Sequence, residues 1–245
     1  MIRLDKYLAD AGKGTRSQVK LLVRQGRVKV NGEIVRKTEL KINPECDIVT
    51  LDEAEVKYSE FEYYMLNKPV GVVSATKDDL HGTVVELIKT DKRRDLFPVG
   101  RLDIDTEGLL VITNDGKLAN NLLAPGKHVT KTYYAKISGK VDEDTISQFS
   151  AGIDIGDDKK TESAKLVVEE IEELQNDRSN GYISSVTVEI TEGRYHQIKR
   201  MFEAVGMKVI YLKRVAMSKL KLDEQLQPGE YRKLTTDEIN LLKNP

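Results

Sequence analysis

Apolar positions near the amino terminus recur at helical spacing. Leu4, Tyr7, Leu8 and Ala11 make one stripe, and Val19, Leu21, Leu22 and Val23 supply a second. Gly12 and Gly26 close the two runs, with Ser17 the expected cap of the second helix. The period then changes to two: Val28 and Val30 alternate with Arg27 and Lys29 ahead of an Asn31-Gly32 hairpin turn. The first fifty residues therefore predict helix, helix, short strands. The acidic stretch 52–60 reads as a linker.

Beyond it, residues 61–75 (FEYYMLNKPVGVVSA) predict a strand that turns at Lys68-Pro69 and Gly71. His81 opens HGTVVELI, a helix or strand after a loop. Leu109, Leu110, Val111, Ile112 and Thr113 form a core strand closed by the turn residues Asn114-Asp115-Gly116. In KTYYAKIS, Tyr133, Ala135 and Ile137 share one strand face and Thr132, Tyr134, Lys136 and Ser138 the other. Tyr133 thus points inward. Val186, Val188 and Ile190 alternate as another strand, and Ile198, Met201, Phe202 and Val205 stripe a helix that Gly206 ends. Strands and helices in this order place the chain in the α+β class, as residues 1–58 (small unit and linker) followed by a larger body, 59–245.

Charge sharpens this division. The 245 residues carry a formal net charge of -1, yet residues 1–45 hold 11 Lys or Arg against 5 acids, and residues 46–60 hold one Lys against five. A basic unit beside a near-neutral body points to polyanion contact through one part of the surface. Arg16, Lys20 and Arg24 lie four apart and align on one helix face, a spacing that suits successive phosphates or simply a solvated face. Residues 142–177 hold 12 acids and 3 Lys, which belong away from any polyanion-binding cleft or at its edge. No apolar run is long enough for a membrane span and no signal-peptide stretch opens the chain, so a cytoplasmic protein without membrane contact is expected. One cysteine, Cys46, excludes an intrachain disulfide, and three histidines argue against a His-based metal site.

The candidate chemistry gathers at residues 100–116, GRLDIDTEGLLVITNDG. Asp103 lies on the connection that feeds the core strand, where rigid neighbours can aim it. An ordinary acidic loop made of Asp103, Asp105 and Glu107 satisfies the same pattern, and the local chemistry does not choose. The segment resembles the signature of pseudouridine synthases, closest to the branch that carries an amino-terminal S4 domain and modifies ribosomal RNA. That resemblance implies Asp103 as nucleophile. It further implies Tyr133, of the KTY segment, as the aromatic that stacks on the target base and a candidate for proton abstraction. Lys199, in GRYHQIKRM, is implied as the basic partner of the carboxylate, with Arg101, Lys68 of the KPxG segment and Ile198 in support. Lys199 keeps the charge of an Arg found in many relatives but lacks its planar fork.

The stretch that opens with residues 3–35 in turn resembles an S4 RNA-binding domain, a match that runs to about Val49. This implies RNA contacts at Lys13, Arg16, Lys20, Arg24 and Arg27, joined by Arg194 and Arg200 on the larger body, with Lys208, Lys213 and Arg214 as further basic surface. The implied fold is an S4 unit followed by a mixed, mostly antiparallel sheet flanked by helices. The implied reaction is isomerisation of one uridine in 16S rRNA, within a partly assembled small subunit, at position 516, by a monomer that uses no cofactor and no metal. A 23S rRNA site, a non-catalytic RNA-binding assembly factor and a glycosidase using paired carboxylates are the competing expectations. The last is disfavoured because Asp103 and Asp105 point to opposite faces if the segment is extended.

Overall fold

A computed structural model of the chain describes residues 1–90, 95–176 and 179–244. The chain forms two compact units, Met1–Glu62 with Ile88–Leu96, and Tyr63–Leu87 with Phe97–Pro245.

In the first unit β1 (Ile2–Arg3) leads into α1 (Leu4–Asp10) and α2 (Arg16–Arg24), followed by β2 (Val28–Val30), β3 (Glu33–Ile34), β4 (Lys41–Ile42), β5 (Val49–Leu51) and β6 (Ala54–Glu55). The first predicted stripe is buried, and Val19 and Val23 of the second join Leu4, Leu8, Val28 and Val49 in one core, whereas Leu21 is exposed on the outer side of α2. The cap of α2 is Thr15 rather than Ser17: its hydroxyl accepts from the Gln18 amide while the Gln18 side chain accepts from the Thr15 amide. Asn31 and Gly32, both at positive φ, turn β2 into antiparallel β3. The acidic stretch expected as a linker is partly folded into this unit. β6 pairs with β5, Val56 is buried, and Tyr7 stacks on Tyr58 while its hydroxyl donates to the Val56 carbonyl.

The second unit is built on one mixed sheet. Its elements are β7 (Tyr63–Lys68), β8 (Phe97–Pro98), β9 (Glu107–Thr113), α3 (Gly116–Leu123), β10 (Lys131–Ser138), α4 (Glu143–Ala151), β11 (Lys165–Asn176) and β12 (Ser179–Ile190). After them come α5 (Gln197–Ala204), β13 (Lys208–Met217), β14 (Leu220–Lys221), β15 (Tyr231–Lys233) and α6 (Thr236–Lys243). The order across the sheet is β11-β12-β10-β13-β9-β7-β15, with β14 on β13 and β8 on β9. Only β13 and β9 run parallel among the described pairs.

β9 is central and buried on both faces, which is why it reads as a continuous apolar run. Leu109 and Val111 enter a core with Leu118 and Leu122 of α3 and Leu242 of α6. Asn114-Asp115-Gly116 is more than a turn: Asp115 caps α3 by accepting from the Leu118 amide at 3.0 Å. The HGTVVELI run is neither helix nor strand but a looped segment with one bridge, Val73 to Thr83. Reciprocal Thr83–Glu86 bonds hold that segment without a repeating ladder.

Gly108 fixes the meeting of β9 and β13. It sits opposite Arg214 at φ +105°, and a Cβ there would lie 2.2 Å from the Arg214 carbonyl oxygen. No side chain fits that approach. The acidic run 142–177, of which residue 177 lies outside the described residues, falls up to Asn176 on α4, the following loop and the edge strand β11, where exposed Glu169, Glu170, Glu172 and Glu173 oppose pairing by another chain.

Candidate active site

Asp103 opens a tight turn directly before β9, in which the Thr106 amide donates to the Asp103 carbonyl at 3.1 Å. Lys68, the last residue of β7, holds that turn from inside. It is fully buried, and its ammonium donates to the carbonyls of Pro69, Asp103 and Thr106, each at 2.9 Å. The resemblance implies a positioning or phosphate-contacting residue at Lys68, and the ammonium is turned onto these backbone carbonyls. Burial pushes its pKa down to about 8, against the opposing pull of Asp103, Asp105 and Glu107.

Lys199 reaches the same turn from the first turn of α5. Its Nζ lies 3.1 Å from Oδ2 of Asp103 and 2.5 Å from Oδ1 of Asp105. The sequence pairing of Lys199 with Asp103 is therefore present. The expectation that Asp105 would face away fails because the segment is a turn, not a strand, so both carboxylates swing to one cation. Burial lowers the Lys199 pKa, but hydrogen bonds to Asp105 and Asp103 outweigh it and leave the group raised. The hydrogen bond from Lys199 holds the Asp105 carboxyl below its ordinary range. An N-terminal helix position is unfavourable for a cation, and these two carboxylates supply the missing counter-charge.

A cleft of about 970 Å³ opens over this pair. Tyr133, on the buried face of β10, and Leu212, on β13, line it with Asp103, Lys199, Ile198 and the exposed Arg101. Leu212 is an apolar wall that sequence reasoning missed, although its place in the alternating burial of β13 makes it an inward residue. His196 also lines the cleft, with Nε2 3.5 Å from Oδ1 of Asp103. Lys131, two residues before Tyr133 and so on the same strand face, is buried there and donates to the Val129 carbonyl.

The expected cationic surface divides into three groups. Lys13, Arg16 and Arg24 are exposed; Lys20 lies 4.0 Å from Asp5, and Arg27 is paired with Asp52. Arg194 and Arg200 are engaged internally: both contact Asp157, Arg194 also contacts Glu192 and the Lys159 and Lys160 carbonyls, and Arg200 the Ile155 carbonyl. They brace the loop that follows α4. Arg214, expected as surface, is 2 % exposed, because its neighbour Gly108 draws β13 against β9. Its Nε donates to the Leu109 carbonyl at 2.8 Å, and Nη2 is buried without a hydrogen-bond partner among the described residues.

A carboxylate held by an ammonium, an aromatic face and an apolar wall in one nucleotide-sized cleft, in a chain with a separate basic helical unit, define an enzyme class that acts on a base within a nucleic acid. Residues 62–204 match the RNA pseudouridylate synthase family, and residues 2–49 match the S4 domain. The chain belongs to the RNA pseudouridylate synthase family, with an S4 domain preceding the family's segment. It is 44% identical over 245 residues to an uncharacterized RNA pseudouridine synthase, YtzG, of Bacillus subtilis, covering 100% of this chain and 99% of that one. It is 38% identical to the ribosomal small subunit pseudouridine synthase A of Escherichia coli, covering 97% and 98%. Among solved structures, a crystal structure of a pseudouridylate synthase is similar with a TM-score of 0.65 and 37% identity, covering 99% of this chain and 100% of that one.

Proposed function

We propose that the chain isomerises one uridine of 16S rRNA to pseudouridine, with Asp103 as the nucleophile and position 516 as the target. The observation that carries the reading is the Asp103–Lys199 pair set in a cleft walled by Tyr133 and Leu212. Likeness to a relative named for the small ribosomal subunit favours 16S over 23S rRNA.

The reaction breaks the N1–C1′ bond, turns the uracil in place and joins C5 to C1′; the C5 proton leaves and N1 gains one, so composition does not change. Lys199 aims the Asp103 carboxylate, and Lys68 fixes the backbone that carries it. Tyr133 stacks on the detached uracil and moves the proton, while Leu212 and Ile198 exclude water from the other sides. Extracting the uridine from its stack costs a few kcal/mol, and phosphate contacts along Arg16, Lys20 and Arg24 offset part of it. Residues 1–58 dock the RNA and residues 59–245 carry out the chemistry, as a cytoplasmic monomer acting on a partly assembled small subunit.

The test is Asp103→Asn, assayed by carbodiimide-based pseudouridine mapping of rRNA and by RNA binding. Loss of the pseudouridine with binding retained supports the nucleophile, and retained modification overturns it. Mapping rRNA from cells lacking the gene tests the target: a missing 23S signal with intact 16S overturns the choice of subunit.

A further inference from the structure

Tyr195 is 74% exposed, yet its ring is not free. It stacks on the His196 imidazole with centroids 3.7 Å apart and planes 21° from parallel. His196 takes a left-handed backbone conformation, φ 49°, and both residues line the cleft that holds Asp103. The backbone of this step is fixed from two sides. The Tyr195 carbonyl accepts from Arg200 Nη1 at 3.2 Å, and the Arg194 amide donates to Oε1 of Gln197 at 2.9 Å. Arg200 and Arg194 are themselves held by Asp157. Carboxylate-anchored Arg200 thus holds the Tyr195 carbonyl, and carboxylate-anchored Arg194 precedes it, around a dipeptide whose outer ring contributes little to the core.

The inner walls already suffice for a single base: Tyr133 is 8% and Leu212 6% exposed. Tyr195 lines the same cleft with its ring stacked on His196 and most of its surface open to solvent. A rigid aromatic face lining a cleft that receives an extracted nucleotide suits a second base.

We propose that the Tyr195–His196 stack is a shelf that receives an unpaired nucleobase flanking the target uridine. This rests on the RNA-modifying reading above and assigns a second base subsite to the same cleft. Stacking makes the shelf tolerant of base identity, because every base offers a π-face. With its neighbour seated on the shelf, the target nucleotide is held out of its own strand's stack, and reinsertion is opposed.

The test uses short RNA oligonucleotides with one uridine flanked on its 5′ or 3′ side by 2-aminopurine. Wild type and Tyr195→Phe quench the reporter on one side, whereas Tyr195→Ala binds about 5- to 150-fold more weakly and leaves it bright. Equal binding and equal quenching by Tyr195→Ala overturn the shelf. On rRNA, Tyr195→Ala raises KM, and the Phe variant restores it; an unaltered KM in the Ala variant also overturns it. Thermal melting of each variant separates a folding defect from lost stacking. The two readings fail separately: quenching by a wild type that forms no pseudouridine on any rRNA keeps the shelf and removes the proposed reaction. Pseudouridine formation with Tyr195-independent quenching does the reverse.

Discussion

Lys199 Nζ lies 3.1 Å from Asp103 and 2.5 Å from Asp105, so one ammonium group on α5 ties down two carboxylates of a turn far earlier in the chain. The shorter contact is to the residue that is not the proposed nucleophile. Asp105 is also the more exposed of the two, at 66% of its side chain against 27% for Asp103. Lys199 is thereby positioned by an outer carboxylate and presented to an inner one. Asp103 keeps one oxygen on Lys199, while the other lies near His196 and lines the cleft.

Removing the ammonium leaves two like charges facing each other across a turn. Lys199→Met is expected to lower pseudouridine formation about 10²-fold through misplacement of Asp103, measured by tritium release from rRNA labelled at uridine C5. Lys199→Arg retains the charge and two donors, and recovers most of the activity. Equal activity of the Met variant and wild type contradicts a role for the pair.

Asp105 supplies a pH signature. Its folded pKa lies below the ordinary 3.8 because Lys199 donates to it. In the acid range the unfolded chain therefore binds more protons than the folded one, and stability from this group is complete above 3.8 and lost as pH falls through the folded value. The melting temperature of wild type should exceed that of Asp105→Asn by a constant margin between about pH 7 and 5, and the margin should close in stronger acid. Activity should fall less in Asp105→Asn than in Asp103→Asn. A margin independent of pH sinks this account.

How far these features were legible depends on whether they are local. The buried face of Tyr133 followed from period-two alternation, and α5 from its apolar stripe, since both signals lie within a few residues. The Lys199–Asp103 pairing came from resemblance alone; no spacing rule joins residues 96 apart. Asp105 was misjudged because an extended chain alternates its side chains, whereas the turn held by Lys68 does not. Arg214 read as basic surface because burial of an arginine is set by what lies opposite it, here Gly108 and β9. HGTVVELI carries apolar residues suited to either regular element, but it is held by side-chain bonds between Thr83 and Glu86.

Lys68 tests whether the turn is fixed from beneath. Lys68→Met leaves three inward carbonyls without their donor, and is expected to destabilise the fold by about 3 kcal/mol, read by urea denaturation. The pH sign is opposite to that of Asp105. With a folded pKa of about 8 against 10.5 in the unfolded chain, the unfolded state binds more protons between these values. The unfolding free energy from this group therefore rises with pH across that window. The slope should be present in wild type and absent in the Met variant. Activity should move the other way in wild type, declining above about pH 8 as the amine loses a donor to the carbonyls around Asp103.

The first unit offers a comparison among cations at similar sequence spacing. Arg16 and Arg24 are exposed on α2, whereas the Arg27 guanidinium is bound by Asp52 through two hydrogen bonds, which hold its pKa above the ordinary value. A phosphate must displace Asp52 to use Arg27, but has Arg16 and Arg24 directly. Arg16→Ala and Arg24→Ala should each weaken rRNA binding and reduce the slope of log K against log salt by about one. Arg27→Ala should alter the slope less than either. Filter binding between about 50 and 200 mM salt resolves these slopes. A loss of slope in Arg27→Ala equal to that in Arg24→Ala would show that RNA displaces Asp52 and takes the guanidinium for itself.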